Sequence, residues 1–163
     1  MSVRLCLPWP DKRLRTAAAP VEDITDEVRA IWQDMIDTMD AMPGVGLAAP
    51  QIGVMLQLAV VDASDTRDRR ILMANPSILD VSSEMNIHDE ASPNLPGVSA
   101  KIKRPKSVSV RFLNKDGMYT RRDFTGLEAT SVQHQIDHLN GRMFFDNLGR
   151  VKRDMLLRKA RKV

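Results

Sequence analysis

The sequence predicts a chain that mixes helices with antiparallel strands, and three of its stretches carry that reading. Val28, Ile31, Trp32, Met35, Ile36 and Met39 form an apolar stripe of helical period. Val108, Val110 and Phe112 alternate with polar residues, and a turn signal at Asn114 to Gly117 sends the chain back as a second strand. A later helix opens at Gly126 and carries two histidines four residues apart, His134 and His138.

Taken in order, residues 1–22 are rich in Pro, Arg and Ala, lack periodicity, and read as an irregular arm. Asp23 or Thr25 caps the first helix, Asp26 and Glu27 suit its first turn, and Pro43 and Gly44 end it. Residues 44–51, with two glycines and two alanines, leave backbone open to a close approach by another chain. As a phosphate loop the stretch is weak, since no Lys-Ser/Thr follows. Residues 54–62 read as a buried strand, 65–70 as a charged turn, and 71–74 and 77–81 as two short strands flanking Asn75-Pro76. Pro93 and Pro96 make 88–97 a loop. Residues 118–124 form the return strand, and Leu127, Ala129, Thr130 and Ile136 are available to pack the second helix. Residues 149–163 make a short basic helix.

Size and composition bound the class. A chain of 163 residues is expected to form one domain, 1–163, with a sizeable core. No apolar run approaches the roughly 20 residues that span a bilayer, and the first ten residues do not read as a secretory signal. A single cysteine, Cys6, excludes an internal disulfide and fits a reducing cytoplasm. The net charge of +3 is uneven. Residues 150–163 hold seven Lys or Arg and one Asp, a balance of +6, which leaves −3 for the rest. That tail reads either as a surface for a polyanion such as ribosomal RNA or as a solvated helix end.

His134 and His138 lie on one face of their helix, close enough to hold one metal ion. The metallohydrolase pattern His-Glu-x-x-His places a proton-carrying Glu between its ligands. Here Gln135 stands in that place. The alternative is a pair of ordinary core or surface histidines. Cys6 is far away in sequence and is not counted as a ligand.

Together, these stretches resemble the peptide deformylases, metal-dependent hydrolases that remove the formyl group from the initiator methionine of new proteins. Gly44 to Gln51 meets the family motif Gly-x-Gly-Leu-Ala-Ala-x-Gln in full. Glu90-Ala91-Ser92-Pro93-Asn94 aligns with Glu-Gly-Cys-Leu-Ser, and His134 to His138 aligns with His-Glu-x-x-His. The resemblance covers nearly the whole chain. It implies an α+β fold: antiparallel strands around a central helix carrying the His pair, with a C-terminal helix. It also implies Fe2+ or Zn2+ held by Ser92, His134 and His138, with Gln135 at the general-base position. Gln51 and the backbone at Pro93 then face the formyl oxygen, and Gly44, Val45, Gly46 and Glu90 lie on the substrate side, where the N-terminal peptide of a nascent chain pairs as an added strand.

Each departure weakens the implied chemistry. A serine hydroxyl is neutral near pH 7 and ligates such metals poorly beside a thiolate. His88, Asp89 or Glu90 are the substitute third ligands to consider. A carboxamide at 135 cannot carry a proton, a role worth roughly 10²–10⁴-fold in rate. Pro93 has no N–H to offer an oxyanion, worth on the order of 10²–10³. His88 also places a polar group where the family has an apolar one beside the methionine pocket. The sequence therefore supports a deformylase-like protein with weak or absent activity. The alternatives are an active hydrolase with a rewired metal site, and a non-enzymatic peptide- or ribosome-binding module.

Overall fold

Thr25 sets the first helix: its hydroxyl accepts from the Val28 N–H, and α1 runs from there as Asp26–Ala41. In this computed structural model, which describes residues 2–162, all six stripe residues of α1 are buried. Five strands follow in an antiparallel sheet of order β1-β2-β3-β6-β7: β1 Gly46–Ala48, β2 Leu58–Val61, β3 Ile71–Val81, β6 Ser107–Leu113 and β7 Tyr119–Thr125. Between β3 and β6, β4 Met85–Glu90 and β5 Ala100–Pro105 form a separate antiparallel pair. Then come α2 Gly126–Leu139 and α3 Arg150–Ala160. No helix among the described residues is long and apolar enough to cross a membrane.

The core forms on both faces of the sheet. Side chains alternate along a strand, so Ala59 and Val61 of β2 meet the α2 residues Ala129, Val132, Ile136 and Leu139. Leu58 and Val60 instead join Ile31, Trp32, Met35 and Met39 of α1. With both faces covered, β2 is a continuous apolar run. A third cluster, Leu14, Leu95, Ile102, Phe144, Phe145 and Leu156, ties the N-terminal arm, the 91–99 loop, β5 and α3 together. α2 is thus held in the middle of the molecule, consistent with the expected α+β arrangement.

Several boundaries differ from the sequence expectation. Residues 54–57 lie outside the sheet: Met55 O accepts from Ala19 N, and Gln57 N donates to Ala19 O, so this stretch pairs with the arm. The two short strands around Asn75-Pro76 are one strand, β3, with a register shift between Ala74 and Ser77. Asn75 takes φ 51° there, and its carboxamide binds Val21 N and Val21 O at 2.8 and 2.7 Å. Residues 88–90 end strand β4 rather than begin a loop, because β5 supplies the ladder partners Ile102, Lys101 and Ala100. Leu127 does not pack inward; it is 44% exposed.

Candidate active site and its relatives

The site lies where three segments converge on α2. β1 and the turn before it bring Gly44, Val45 and Gly46. The end of β4 and the following turn bring Glu90, Ser92 and Pro93. α2 brings His134, Gln135 and His138. All but His138 line a cavity of about 430 Å³, together with Gln51, Leu127, Thr130 and Ser131. Gln51 reaches it from the short 3-10 turn after β1.

The histidines face each other across 3.1 Å, Nε2 to Nε2, and both are buried. His134 Nδ1 lies 2.8 Å from Glu90 Oε1. An ionised carboxylate only accepts, so Nδ1 carries a hydrogen. His138 is held neutral: burial lowers its pKa well below the ordinary value, and the nearby His134 and Arg104 charges push the same way. The second nitrogen of His138, Nδ1, is left buried without a partner.

Glu90 is fixed from two sides. Arg104 Nε donates to Oε2 at 2.6 Å and Nη2 to Oε1 at 2.9 Å, while Arg104 Nη1 holds Asp137 Oδ2 at 2.9 Å. Burial alone would raise the Glu90 carboxyl. The hydrogen bonds from His134 and Arg104 outweigh it and keep the pKa below the usual range. Both oxygens of Glu90 are occupied, so it acts on His134 rather than on a substrate.

Ser92 belongs to a different set of bonds. Its Oγ donates to Asn94 Oδ1 at 3.0 Å and accepts from Gln51 Nε2 and Asn94 N, both at 3.3 Å. One hydrogen and two lone pairs are all a hydroxyl has. Gln51 Nε2 also donates to Asn94 Oδ1 at 2.8 Å, and Gln51 Oε1 accepts from Ala48 N at 2.8 Å. Asn94 Nδ2 closes the set on Leu7 O and Gln51 O. Ser92 has no base to take its proton, so it is not an activated nucleophile either.

None of the substitute ligands is free: Glu90 is bound to His134 and Arg104. His88 Nδ1 lies 2.9 Å from Thr130 Oγ1, and the exposed Asp89 faces Lys101. Among the described residues no group of three or more His, Cys, Asp and Glu could hold a metal ion. The residues present do not fit a three-ligand iron or zinc centre. The two Nε2 atoms converge on one point, but Ser92 is committed to its amide neighbours, and His138 lacks the outer hydrogen bond that a ligating histidine makes.

Sequence reasoning missed Arg104 and the role of Asn94. No strand was read at 100–105, so nothing in the sequence marked Arg104 as sharing the inward face of Ile102 on β5. A cation on that face needs a carboxylate partner.

Helix α2 between the sheet and the β4–β5 pair, with a His pair opposite a Gly-rich edge strand, is the architecture of a family of hydrolases. The polypeptide deformylase family model matches residues 3–154, and the chain belongs to that family. A peptide deformylase from Afipia carboxidovorans is 42% identical over 99% of this chain and 96% of its own. One from Bartonella henselae is 42% identical over 99% and 93%. The crystal structure of a peptide deformylase from Legionella pneumophila matches with a TM-score of 0.91 at 39% identity, covering 99% of this chain and 95% of the other. The family is metal-dependent, on Fe2+ or Zn2+, and acts on the N-terminal peptides of nascent chains.

Proposed function

We propose that this chain is a cytoplasmic, single-domain member of the deformylase family in which N-formyl hydrolysis is weak or absent, while the groove along Gly44, Val45 and Gly46 still receives a peptide N-terminus. The observation that carries the reading is Ser92: its hydrogen and both lone pairs are committed to Gln51 and Asn94, which leaves nothing for a metal. Binding of Fe2+ or Zn2+ is then weak. Gln135 cannot carry a proton, and Pro93 offers no N–H to a developing oxyanion.

The groove reading has separate support. Among the described residues β1 pairs only with β2, so its other edge is open to an added strand. Arg150, Lys152, Arg158, Lys159, Arg161 and Lys162 are exposed in or just beyond α3, and this cationic surface suits ribosomal RNA near the exit of new chains.

The test is formate release from formyl-Met-Ala-Ser by protein supplied with iron, nickel or zinc. A rate at least about 10²-fold below that of an active relative is expected from the loss of the proton carrier alone. A comparable rate overturns the reading.

A further inference from the structure

We propose that Arg67 is a positioning residue: by taking the carbonyl of Asp62 it ends the β1–β2 ladder at Gly46 and so fixes where the open edge of the groove stands. The effect on peptide capture rests on the groove reading above. The effect on the backbone does not.

The ladder stops halfway through a pair. Gly46 stands opposite Val61, so the next pair outward is Val45 with Asp62. A hydrogen-bonded antiparallel pair exchanges two N–H···O=C bonds. One of them is made here: Asp62 N donates to Val45 O at 3.0 Å. The other is replaced. Arg67 Nη1 donates to Asp62 O at 3.2 Å, and Val45 N has no partner among the described residues.

Arg67 is held in place for this contact. Its Nη2 donates to Asp40 Oδ1 at 2.7 Å, in the last turn of α1. Its backbone takes φ 58°, in the left-handed region that non-glycine residues rarely enter. The Asp62 side chain has partners of its own: Oδ1 accepts from Ser64 N and Ser64 Oγ, and Oδ2 lies 3.8 Å from Arg70 Nε.

Asp62 is fully buried, and a buried carbonyl rarely stays unpaired. Without the guanidinium, the donor that the ladder sets opposite it is Val45 N–H. Closing that bond lengthens β1 by one residue and draws its edge onto β2. Val45 O also accepts from Ser131 Oγ of α2 at 3.0 Å, so the shift is felt between the two walls of the groove.

Arg67→Gly tests this, because glycine adopts the left-handed backbone readily while the guanidinium is lost. The ion pair removed with it is partly exposed, 28% and 32% at its two ends, and adds little stability. The thermal midpoint should therefore stay within about 3 °C of the parent. In amide exchange followed by NMR, Val45 N–H should exchange at least about tenfold more slowly in the variant, as an amide entering a ladder does. In calorimetric titration, formyl-Met-Ala-Ser should bind about fivefold more weakly, the size of one hydrogen bond lost at the edge. Asp40→Asn loosens the same guanidinium from its other end and should move both readouts the same way by less; it decides alone if Arg67→Gly does not fold. Unchanged exchange at Val45 overturns the inference whatever the peptide does. Slower exchange with unchanged affinity overturns it too, since the ladder end then has no bearing on the groove. Slower exchange with no peptide bound by parent or variant supports the ladder stop and overturns the groove reading alone.

Discussion

Asn94 Oδ1 accepts from Gln51 Nε2 at 2.8 Å, and this contact joins two motifs that lie 43 residues apart. The same carboxamide holds Leu7 O and Gln51 O through Nδ2, while the Asn94 carbonyl accepts from Trp9 N. The amide of Gln51 is thereby turned onto the protein, and the N-terminal arm is fastened to the floor of the site.

Asn94→Ala removes those side-chain bonds in a place that is 1% exposed and strands the Gln51 amide. Leaving buried partners unsatisfied costs about 1–3 kcal/mol for each group. A loss of about 2–4 kcal/mol is expected in urea unfolding, whereas Ser92→Ala, which strands fewer groups, should lose about 1 kcal/mol.

Arg104 joins Glu90 and Asp137 inside the fold, and its side chain is 6% exposed. Arg104→Met should destabilise by about 3–5 kcal/mol, because Glu90 is left buried without its cation. Denaturant unfolding of the variant at pH 7 checks this. A change below about 1 kcal/mol means that His134 alone suffices for Glu90.

Asp146 provides a pH dependence remote from the site. Burial alone would raise its carboxyl, but the hydrogen bonds from Arg15 and Met143 N prevail and lower it from 3.8. A carboxyl lowered in the folded state adds stability above its unfolded value, and that stability fades as pH falls through the folded one. Acid unfolding should therefore begin below about pH 4. Asp146→Asn should be less stable than the parent at pH 7, and the gap should narrow as pH falls below about 4 in chemical unfolding series.

The legible parts of this molecule are those whose signal is local. α1 was readable because cap, stripe and stop agree within one stretch, and the β6–β7 hairpin because Asn114 to Gly117 is turn chemistry. β4 and β5 were not readable. Their outward residues include Met85 and Ile87, at 42% and 61% exposure, while His88, Glu90 and Arg104 point inward, so the usual alternation is inverted. β3 was split in two because Asn-Pro is a turn signal, and only its bonds to Val21 show why the strand continues. In the site, the positions of Gly46, Gln51, Ser92, Gln135 and the His pair could be read from motif spacing. What occupies their lone pairs could not, since Asn94, Arg104 and Glu90 act through partners distant in sequence.

Reversion separates the lost groups from the scaffold that carried them. Ser92→Cys, Pro93→Leu and Gln135→Glu together restore the thiolate, the main-chain donor and the proton carrier. The triple variant should retain metal through desalting and release formate at least about 10²-fold faster than the parent. No gain would show that the groove has changed beyond those positions.

Chelator offers a simple control on the parent protein. Since no metal supports the fold in this account, excess EDTA should leave the thermal midpoint unchanged, whereas a structural ion would make it fall.

The account stands most directly on the zinc affinity of the unaltered protein, measured by titration against a coloured chelator. The arrangement of Ser92, His134 and His138 predicts less than about 0.1 equivalent of zinc at micromolar free metal, set by two imidazoles alone. One tightly held equivalent, lost on His134→Ala and on Ser92→Ala, would contradict it.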